Sequence, residues 1–401
     1  MRRHDADVVV VGAGMVGAAL AAALKGSKLS VIVVDAGGMP APLPTAHFGL
    51  RVSAVSPGTR SILEAVDAWR LLDASRVGPY DSMFVWDAAS SGEIRFEASE
   101  IGEPWLGYII ENDHIHHALL EAAAAANVDV RFHQPPTGLV VEREACRLLL
   151  ESGESLSARL VVGADGARSW VRRELGIEVE TRLYGQRAFV CEVRTALPHR
   201  RTAWQRFLAT GPVAFLPLAN GNCSVVWSCD AGLAAELEAL DGESFGRRLV
   251  QAFEERLGEV EVVSPVKSFE LTRRRARRYI GERGALAGDA AHVVHPMAGQ
   301  GANLGFADAW SLSRVLLDAH RSGRDIGSRH VLRRYERWRR SENMAMMRML
   351  DMLHGLFTTQ SRVVGRARGL GLAAVDRQSW LKHFLARQAL GERVAVDGGD
   401  G

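Results

Sequence analysis

Gly12-Ala13-Gly14-Met15-Val16-Gly17, Gly163-Ala164-Asp165-Gly166-Ala167-Arg168-Ser169, and Gly288-Asp289 running on to Gly299-Gln300-Gly301-Ala302-Asn303 are three short segments far apart in the chain. All three are rich in glycine, and the second and third also carry short polar side chains. Glycines let backbone N–H groups approach a phosphate closely, and a carboxylate beside them can accept hydrogen bonds from a sugar hydroxyl. Taken together and in this order, the segments suit the binding of one dinucleotide and redox chemistry upon it.

The elements that must position the first segment are readable. Asp7 to Val11 is a short, β-branched, continuous apolar run, the pattern of a strand buried on both faces. Met15 to Lys25 is rich in Ala and Leu and reads as a helix, and Leu29 to Val34 reads as a second buried strand ending at Asp35. In this βαβ unit Gly12 permits the tight turn, Gly14 lets a pyrophosphate approach the backbone, and Gly17 lets helix and strand pack closely. Asp35, 18 residues beyond Gly17, is spaced to accept from a ribose hydroxyl. The motif alone does not separate NAD from FAD.

The other two segments narrow the choice. Leu160-Val161-Val162 is a strand leading into the turn with Asp165, and Arg172 follows. Asp165 can touch sugar hydroxyls, or it can simply make an Asp-Gly turn between strand and helix. Ala285-Leu286-Ala287 leads into Gly288-Asp289-Ala290-Ala291-His292, where Asp289 at a strand end can bind a ribityl hydroxyl. His295-Pro296-Met297-Ala298 then precedes the glycine turn at 299–301, and a helix carrying Asp308 and Trp310 follows. That turn offers free N–H groups at a helix start, suited to negative charge such as that on the pyrimidine side of a reduced flavin.

In order and spacing the three segments resemble the FAD-dependent aromatic hydroxylases similar to para-hydroxybenzoate hydroxylase, and within them the ubiquinone-biosynthesis hydroxylases that act on polyprenylated phenols. Arg51-Val52-Ser53-Ala54-Val55-Ser56 is similar to the family segment whose arginine lies over the flavin. Gly107-Tyr108-Ile109-Ile110-Glu111-Asn112, leading to Leu119, is similar to the segment whose Asn or Gln touches FAD, and Gly369-Leu370 through Arg387-Gln388-Ala389-Leu390-Gly391 resembles the family C-terminus. The resemblance implies FAD contacts at Gly12, Gly14, Gly17, Asp35, Arg51, Asn112, Asp165 and Asp289. It implies a backbone cradle near the isoalloxazine at Gly299, Gly301, Ala302 and Asn303, with Asp35 standing where many relatives have Glu. It also implies His295 facing the flavin as the candidate catalytic side chain (a purely structural role being the competing reading), reduced NAD(P)H as electron donor, and O2 and a polyprenylated phenol as substrates. The alternatives are a hydroxylase of a small soluble aromatic compound and a non-catalytic flavin-binding subunit of a biosynthetic complex. The oxygen atom would pass to the ring from a flavin hydroperoxide. No second βαβ fingerprint for a nicotinamide is visible, consistent with transient donor binding.

Because the three segments must converge, the expected fold is α/β. It is a discontinuous Rossmann-like FAD-binding domain (1–80, 107–178 and 277–330) with an inserted β-sheet substrate domain (81–106 and 179–276) and a helical C-terminal region (331–401). Alternating stretches such as Ala188 to Val193 and Cys223 to Cys229 read as strands of a sheet covering the flavin, with Trp204, Phe207, Phe215 and Trp227 as pocket candidates. Ordinary core packing is the competing reading of each.

With 401 residues, 47% of them apolar and 24% charged, the chain can bury a large core. Four cysteines without Cys-x-x-Cys spacing read as reduced thiols in a reducing compartment. The apolar run from Val8 to Leu24 could pass for a signal peptide or anchor. Asp5, Asp7 and the three glycines argue instead for strand, turn and helix, and the expectation is a cytoplasmic protein without a membrane span.

Two arginine clusters, Arg273-Arg274-Arg275 with Arg277-Arg278 and Arg333-Arg334 with Arg337, Arg339 and Arg340, read as solvated faces or as contacts for anionic lipid. Tyr335 and Trp338 within the second would suit a membrane interface. A biosynthetic complex is the other possible partner, and no nucleic-acid motif is present. Burying each CH2 of a prenyl tail is worth about 0.8 kcal/mol relative to water, but a tail that starts in lipid gains little on entering protein. Recognition should therefore rest on the aromatic head. The methionines from Met344 to Met352 read as helix packing or as a flexible lining for such a tail, and His114, His116 and His117 as structural or exposed.

Overall fold

In the computed structural model of the chain, residues 4–43, 48–295 and 299–358 are described. The first strand, Ala6–Val11, sits at the centre of an eight-stranded sheet, with Ser155–Gly163 on one side and Val31–Val34 on the other, both parallel to it. Asp129–Arg131 and Gly284–Leu286 extend the parallel run outward. The unbroken Val8-Val9-Val10-Val11 run is what such a position requires, because both faces of the strand are buried. The apolar stretch from Val8 to Leu24 is strand, turn and helix, as expected, and no helix among the described residues is long and apolar enough to cross a membrane.

A nine-stranded sheet collects both expected insertions. Ser82–Asp87, from the first, pairs in parallel with Thr202–Leu208, from the second. The stretches Ala188 to Val193 and Cys223 to Cys229 lie side by side and antiparallel within it. One face of this sheet packs against helices Ala231–Glu238 and Gly242–Ala252, burying Phe215, Trp227, Phe245 and Phe253. A three-stranded sheet of Val52–Val55, Gly107–Glu111 and Gly78–Tyr80 lies apart from both in hydrogen bonding.

The expected C-terminal helix starts at Arg329 and is described to Thr358; the family-like stretch from Gly369 to Gly391 lies outside the described residues. This helix is a brace between the two large sheets. Near its start the Tyr335 hydroxyl donates to the Leu286 carbonyl (2.7 Å), and near its end Leu350 and Phe357 pack with Val85, Ile94 and Phe207. Of the methionines, Met347 is buried and Met346 joins this second cluster, whereas Met352 is exposed.

Two surface expectations need correction. Tyr335 is fully buried and offers nothing to a membrane; only Trp338 of that pair is exposed. The first arginine cluster is mostly engaged within the protein. Arg273 pairs with Asp351, Arg275 with Glu180 (2.6 Å) and Arg277 with Glu178 (2.9 Å), while Arg274 donates to the Ala167 carbonyl (2.8 Å). Strand Lys267–Ala276 turns Arg273, Arg274 and Arg275 to neighbouring elements, whereas the Arg277–Glu178 pair just beyond it is exposed.

Candidate active site

The three segments converge on one cavity of about 630 Å³. The eight-stranded and three-stranded sheets contribute one wall, with Gly14, Arg51, Asn112, Asp289, Gly299, Gly301 and Ala302. The nine-stranded sheet contributes the opposite wall, which is largely apolar and includes Met83, Phe96, Val190, Leu216 and Val226.

The glycines of the first turn differ in what they permit. Gly12 has φ +105°, and a Cβ there would lie 2.4 Å from the Ala164 carbonyl oxygen. A Cβ at Gly17 would lie 1.9 Å from the Gly12 carbonyl oxygen. Gly14 has no protein atom within 4 Å of where its Cβ would be and faces the cavity. Helix Met15–Ala23 begins there with no side-chain cap, so its first N–H groups are open to an anion. Asp35 steadies the turn: its carboxylate accepts from Ala13 N–H (2.6 Å) and Gly37 N–H (2.7 Å). Among the described residues lining the cavity, neither Gly12, Gly17 nor Asp35 appears.

Asp165 has a local task that the Asp-Gly-turn reading anticipated. It accepts from Ser169 Oγ (2.5 Å) and from Trp170 and Val171 N–H (2.6 and 3.0 Å), capping the short helix Trp170–Glu174. Its neighbours Ala164 and Gly166, not Asp165 itself, line the cavity. Arg172 then ties the second segment to the third by donating to the Ala290 carbonyl (2.8 Å).

Asp289 is the carboxylate that does face the cavity. It makes no hydrogen bond among the described residues. Enclosure by protein raises its pKa, opposed by the charges of His292 and Arg51. The turn that carries it is held from behind by one buried carboxylate. Asp308 accepts from Gly288 N–H (3.1 Å) and from His292 Nε2 (2.5 Å), clamping both ends of the turn. Its other oxygen accepts from Arg339 Nε (2.8 Å) and Asn343 Nδ2 (3.0 Å) on the C-terminal helix. Burial alone would raise the Asp308 pKa, but His292 and Arg339 outweigh it and bring it down to about 2. The sequence reading noted Asp308 without a role. Its one signal is position: it falls four residues from both Leu304 and Leu312, on the buried stripe of helix Gln300–Arg321.

That helix starts at the cavity with no side-chain cap and no acid in its first turn, so the N–H groups near Gly301 and Ala302 are open. Gly299 has φ +62° and packs where a Cβ would meet Ala54 Cβ at 2.9 Å. The Asn303 side chain bolts this helix to strand Val52–Val55, donating to Ala54 O (2.9 Å) and accepting from Ser56 N–H (3.1 Å). Arg51 and Asn112 meet at the cavity, where Asn112 N–H donates to the Arg51 carbonyl (2.8 Å) and Ser53 Oγ to Asn112 Oδ1 (2.6 Å).

His295 is enclosed by protein. It is 1% exposed, lies 3.2 Å through Nε2 from Gln186 Oε1, and packs edge-on against Tyr184. It is not among the described residues that line the cavity. Of the four aromatic candidates only Trp204 lines it; Phe207, Phe215 and Trp227 are core. The histidine trio is structural: His114 Nε2 accepts from Asp73 N–H, while His116 and His117 contact the Ala13 and Ala41 carbonyls. No group of metal-ligating residues occurs among the described residues, and the four cysteines are free and buried.

Two uncapped helix starts, an open backbone at Gly14 and an unpartnered carboxylate at Asp289 fit a dinucleotide with a charged ring system. Comparison with known proteins agrees. A family model described as an FAD binding domain matches residues 5–349. The chain is 38% identical to the ubiquinone hydroxylase UbiL of Rhodospirillum rubrum, over 96% of this chain and 90% of that protein. It is 34% identical to the 3-demethoxyubiquinol 3-hydroxylase of Escherichia coli, over 98% and 100%. The p-nitrophenol 4-monooxygenase PnpA of Pseudomonas putida shares the fold, with a TM-score of 0.78 at 20% identity over 97% of this chain and 99% of that one. The chain therefore belongs to the FAD-dependent aromatic hydroxylases, in the ubiquinone-biosynthesis hydroxylase family, and is an FAD-dependent monooxygenase.

Proposed function

We propose that this enzyme hydroxylates the aromatic ring of a polyprenylated phenol in ubiquinone biosynthesis, with a reduced nicotinamide as electron donor. The observation that carries the reading is the two-sided cavity, with backbone N–H groups and Asp289 on one side and an apolar sheet face on the other. The names of the similar proteins from Rhodospirillum rubrum and Escherichia coli support the substrate class.

FAD, when bound, supplies the electron transfer and oxygen activation. The protein's part is to bind, orient and keep water out. In this reading Gly14 and the helix start at Met15 receive the pyrophosphate, and Asp289 accepts from a ribityl hydroxyl. The backbone at Gly299, Gly301 and Ala302 faces the ring, and Arg51 and Asn112 flank it. Gly12, Gly17, Asp35, Asp165 and Asn303 serve the same site by shaping these backbone segments. Met83, Phe96, Val190 and Leu216 exclude water from the reacting centre. His295, packed edge-on against Tyr184 behind the wall, acts as a positioning residue and not as a group that meets the ring. In the same reading the cofactor domain comprises 1–80, 107–178 and 277–330, the substrate domain 81–106 and 179–276, and the C-terminal helical region 331–401; the separate large sheets support this division. One qualification is that strand His292–Val293 of the third segment joins the substrate sheet.

The test is the lipid profile of a strain lacking the gene. It should accumulate a prenylated phenol short of one ring oxygen, and an unchanged quinone profile would overturn the substrate assignment. Peripheral contact with an anionic membrane is part of the same reading. Arg314 and Arg321 on one helix and Arg334 and Arg337 on the next line a polar groove beside the exposed Trp338. Flotation with phosphatidylglycerol vesicles should be lost in the double variant Arg321→Glu, Arg337→Glu; equal flotation of variant and wild type would refute this surface.

A further inference from the structure

Among the polar side chains lining the cavity, Gln205 on the apolar wall and Tyr80 on the three-stranded sheet make no hydrogen bond among the described residues. Strand Thr202–Leu208 sits inside the nine-stranded sheet, with Gln205 opposite Val85 on one neighbour and Ala214 on the other; Ala214 in turn faces Val226. Side chains alternate across a sheet, so Gln205 and Ala214 share a face while Val213 and Phe215 turn to the packed core beneath. Gln205 is 7% exposed and lines the cavity. Its side-chain amide, with two donor hydrogens and an acceptor oxygen, makes no hydrogen bond among the described residues. By contrast, the indole N–H of neighbouring Trp204 is directed to the His199 carbonyl (3.4 Å).

Tyr80 is the second such group. It ends the short strand Gly78–Tyr80 and lines the same cavity. Its hydroxyl has no hydrogen-bond partner among the described residues, and burial alone pushes its pKa up to about 12. Of the other polar side chains at the cavity, Ser53 and Asn112 bond each other, Arg51 and Asp289 stand on the cofactor wall, and the short Ser228 hydroxyl lies on the sheet two residues from Val226. Native proteins rarely leave a buried amide unpaired, because the lost hydrogen bonds cost about 1–3 kcal/mol. Gln205 and Tyr80 open into the cavity and not into packed protein, so their polar atoms are free to meet a ligand.

We propose that Gln205 and Tyr80 are the head-group contacts of the substrate, hydrogen-bonding the oxygen substituents of an electron-rich aromatic ring held against the apolar sheet face. This rests on the monooxygenase reading and deepens it. Gln205 Oε1 accepts from a phenolic O–H, its Nε2 donates to a neighbouring ring oxygen, and the Tyr80 hydroxyl meets a further oxygen. Two fixed points on a planar ring determine which ring carbon is turned toward the cofactor wall. The pair therefore controls regioselectivity and the coupling of donor oxidation to product. A tail that gains little on leaving lipid leaves this polar recognition as the source of discrimination.

The experiment compares wild type with Gln205→Leu, Gln205→Asn and Tyr80→Phe, all as FAD-loaded protein. Three quantities are read: FAD content with thermal midpoint, the Kd of a short-chain prenylated phenol by calorimetry without electron donor, and kcat/KM with product formed per donor oxidised. For Gln205→Leu, FAD content and the thermal midpoint should be unchanged, since the amide opens into the cavity and holds no protein partner among the described residues. Kd should rise and kcat/KM fall roughly 10- to 100-fold, with more peroxide released. Gln205→Asn should recover part of the loss, and Tyr80→Phe should give a smaller change of the same sign. A lowered midpoint in Gln205→Leu with Kd unchanged makes Gln205 a structural residue and overturns the assignment. Unchanged Kd and coupling in both Gln205→Leu and Tyr80→Phe, with an active wild type, overturns it while leaving the monooxygenase reading intact. A wild type that binds FAD but neither binds nor hydroxylates any phenol overturns the reading itself.

Discussion

The two walls of the cavity are built by opposite means. The cofactor wall is mostly backbone, made of glycines and helix starts contributed by short contiguous segments, with Asp289, Arg51 and Asn112 as its few side chains. The substrate wall is made of side chains that alternate along several strands drawn from two insertions. A wall of backbone imposes a demand on residue type at each position, since only glycine fits where Ala164 or Gly12 presses against the turn. A wall of side chains imposes only a demand for apolar volume, which many residues meet. Chemistry common to a family can therefore reside in the first wall and substrate choice in the second.

Two glycines of one motif give the sharpest way to break this comparison. Gly12→Val puts a branched side chain 2.4 Å from the Ala164 carbonyl at φ +105°. A loss of more than about 3 kcal/mol is expected, read as loss of soluble protein or a collapsed thermal midpoint. Gly14→Ala meets no protein atom within 4 Å. It should leave the FAD-free midpoint within about 0.5 kcal/mol of wild type while weakening FAD binding roughly tenfold, measured by titration of the apoprotein. If both variants lose the fold, or both keep full FAD affinity, the division into a packed side and a ligand side of the turn fails.

A smaller effect tests whether the cofactor wall depends on what lies behind it. Asp308→Ala takes the buried carboxylate from the Arg339 Nε, 4% exposed, and leaves that guanidinium only Glu342 and Asn343 among the described residues. Breaking a buried pair in this way costs about 3–5 kcal/mol, to be read by urea denaturation. The pH dependence has a definite sign. The Asp308 pKa falls from 3.8 unfolded to about 2 folded. Its stabilising contribution is thus fully present above about pH 4 and is lost as pH drops toward 2. Wild type should lose stability over that window more steeply than the variant, and parallel curves would remove Asp308 as the anchor of the Asp289 turn.

Legibility followed the same division. The separate tasks of Gly12, Gly14 and Gly17 were readable because each rests on a local steric fact, and the strand-turn-helix was readable from the valine run and the alanine-rich helix. Asp165 and Asp289 look alike in sequence, each beside a glycine after an apolar strand. The fold gives the first a helix to cap and turns the second into the cavity. Trp204 and Trp227 are equally aromatic and equally strand-borne, yet one lines the cavity and the other is core. Tyr335 looked fit for a membrane interface beside five arginines and is instead fully buried against the Leu286 carbonyl.

By itself the sequence determined that a dinucleotide binds, through which segments, and that these segments must meet. Glycine spacing and strand-terminal acids carry that information within a few residues. Only the tertiary structure decided that Gln205 and Tyr80 share the cavity while His295 packs behind it, and that Asp308 ties the Asp289 turn to the C-terminal helix. The physical reason is that a strand assigns alternate residues to opposite faces but does not say which face is covered. Cover comes from helices far along the chain, and from it follows whether a polar side chain meets a protein partner or is left for a ligand.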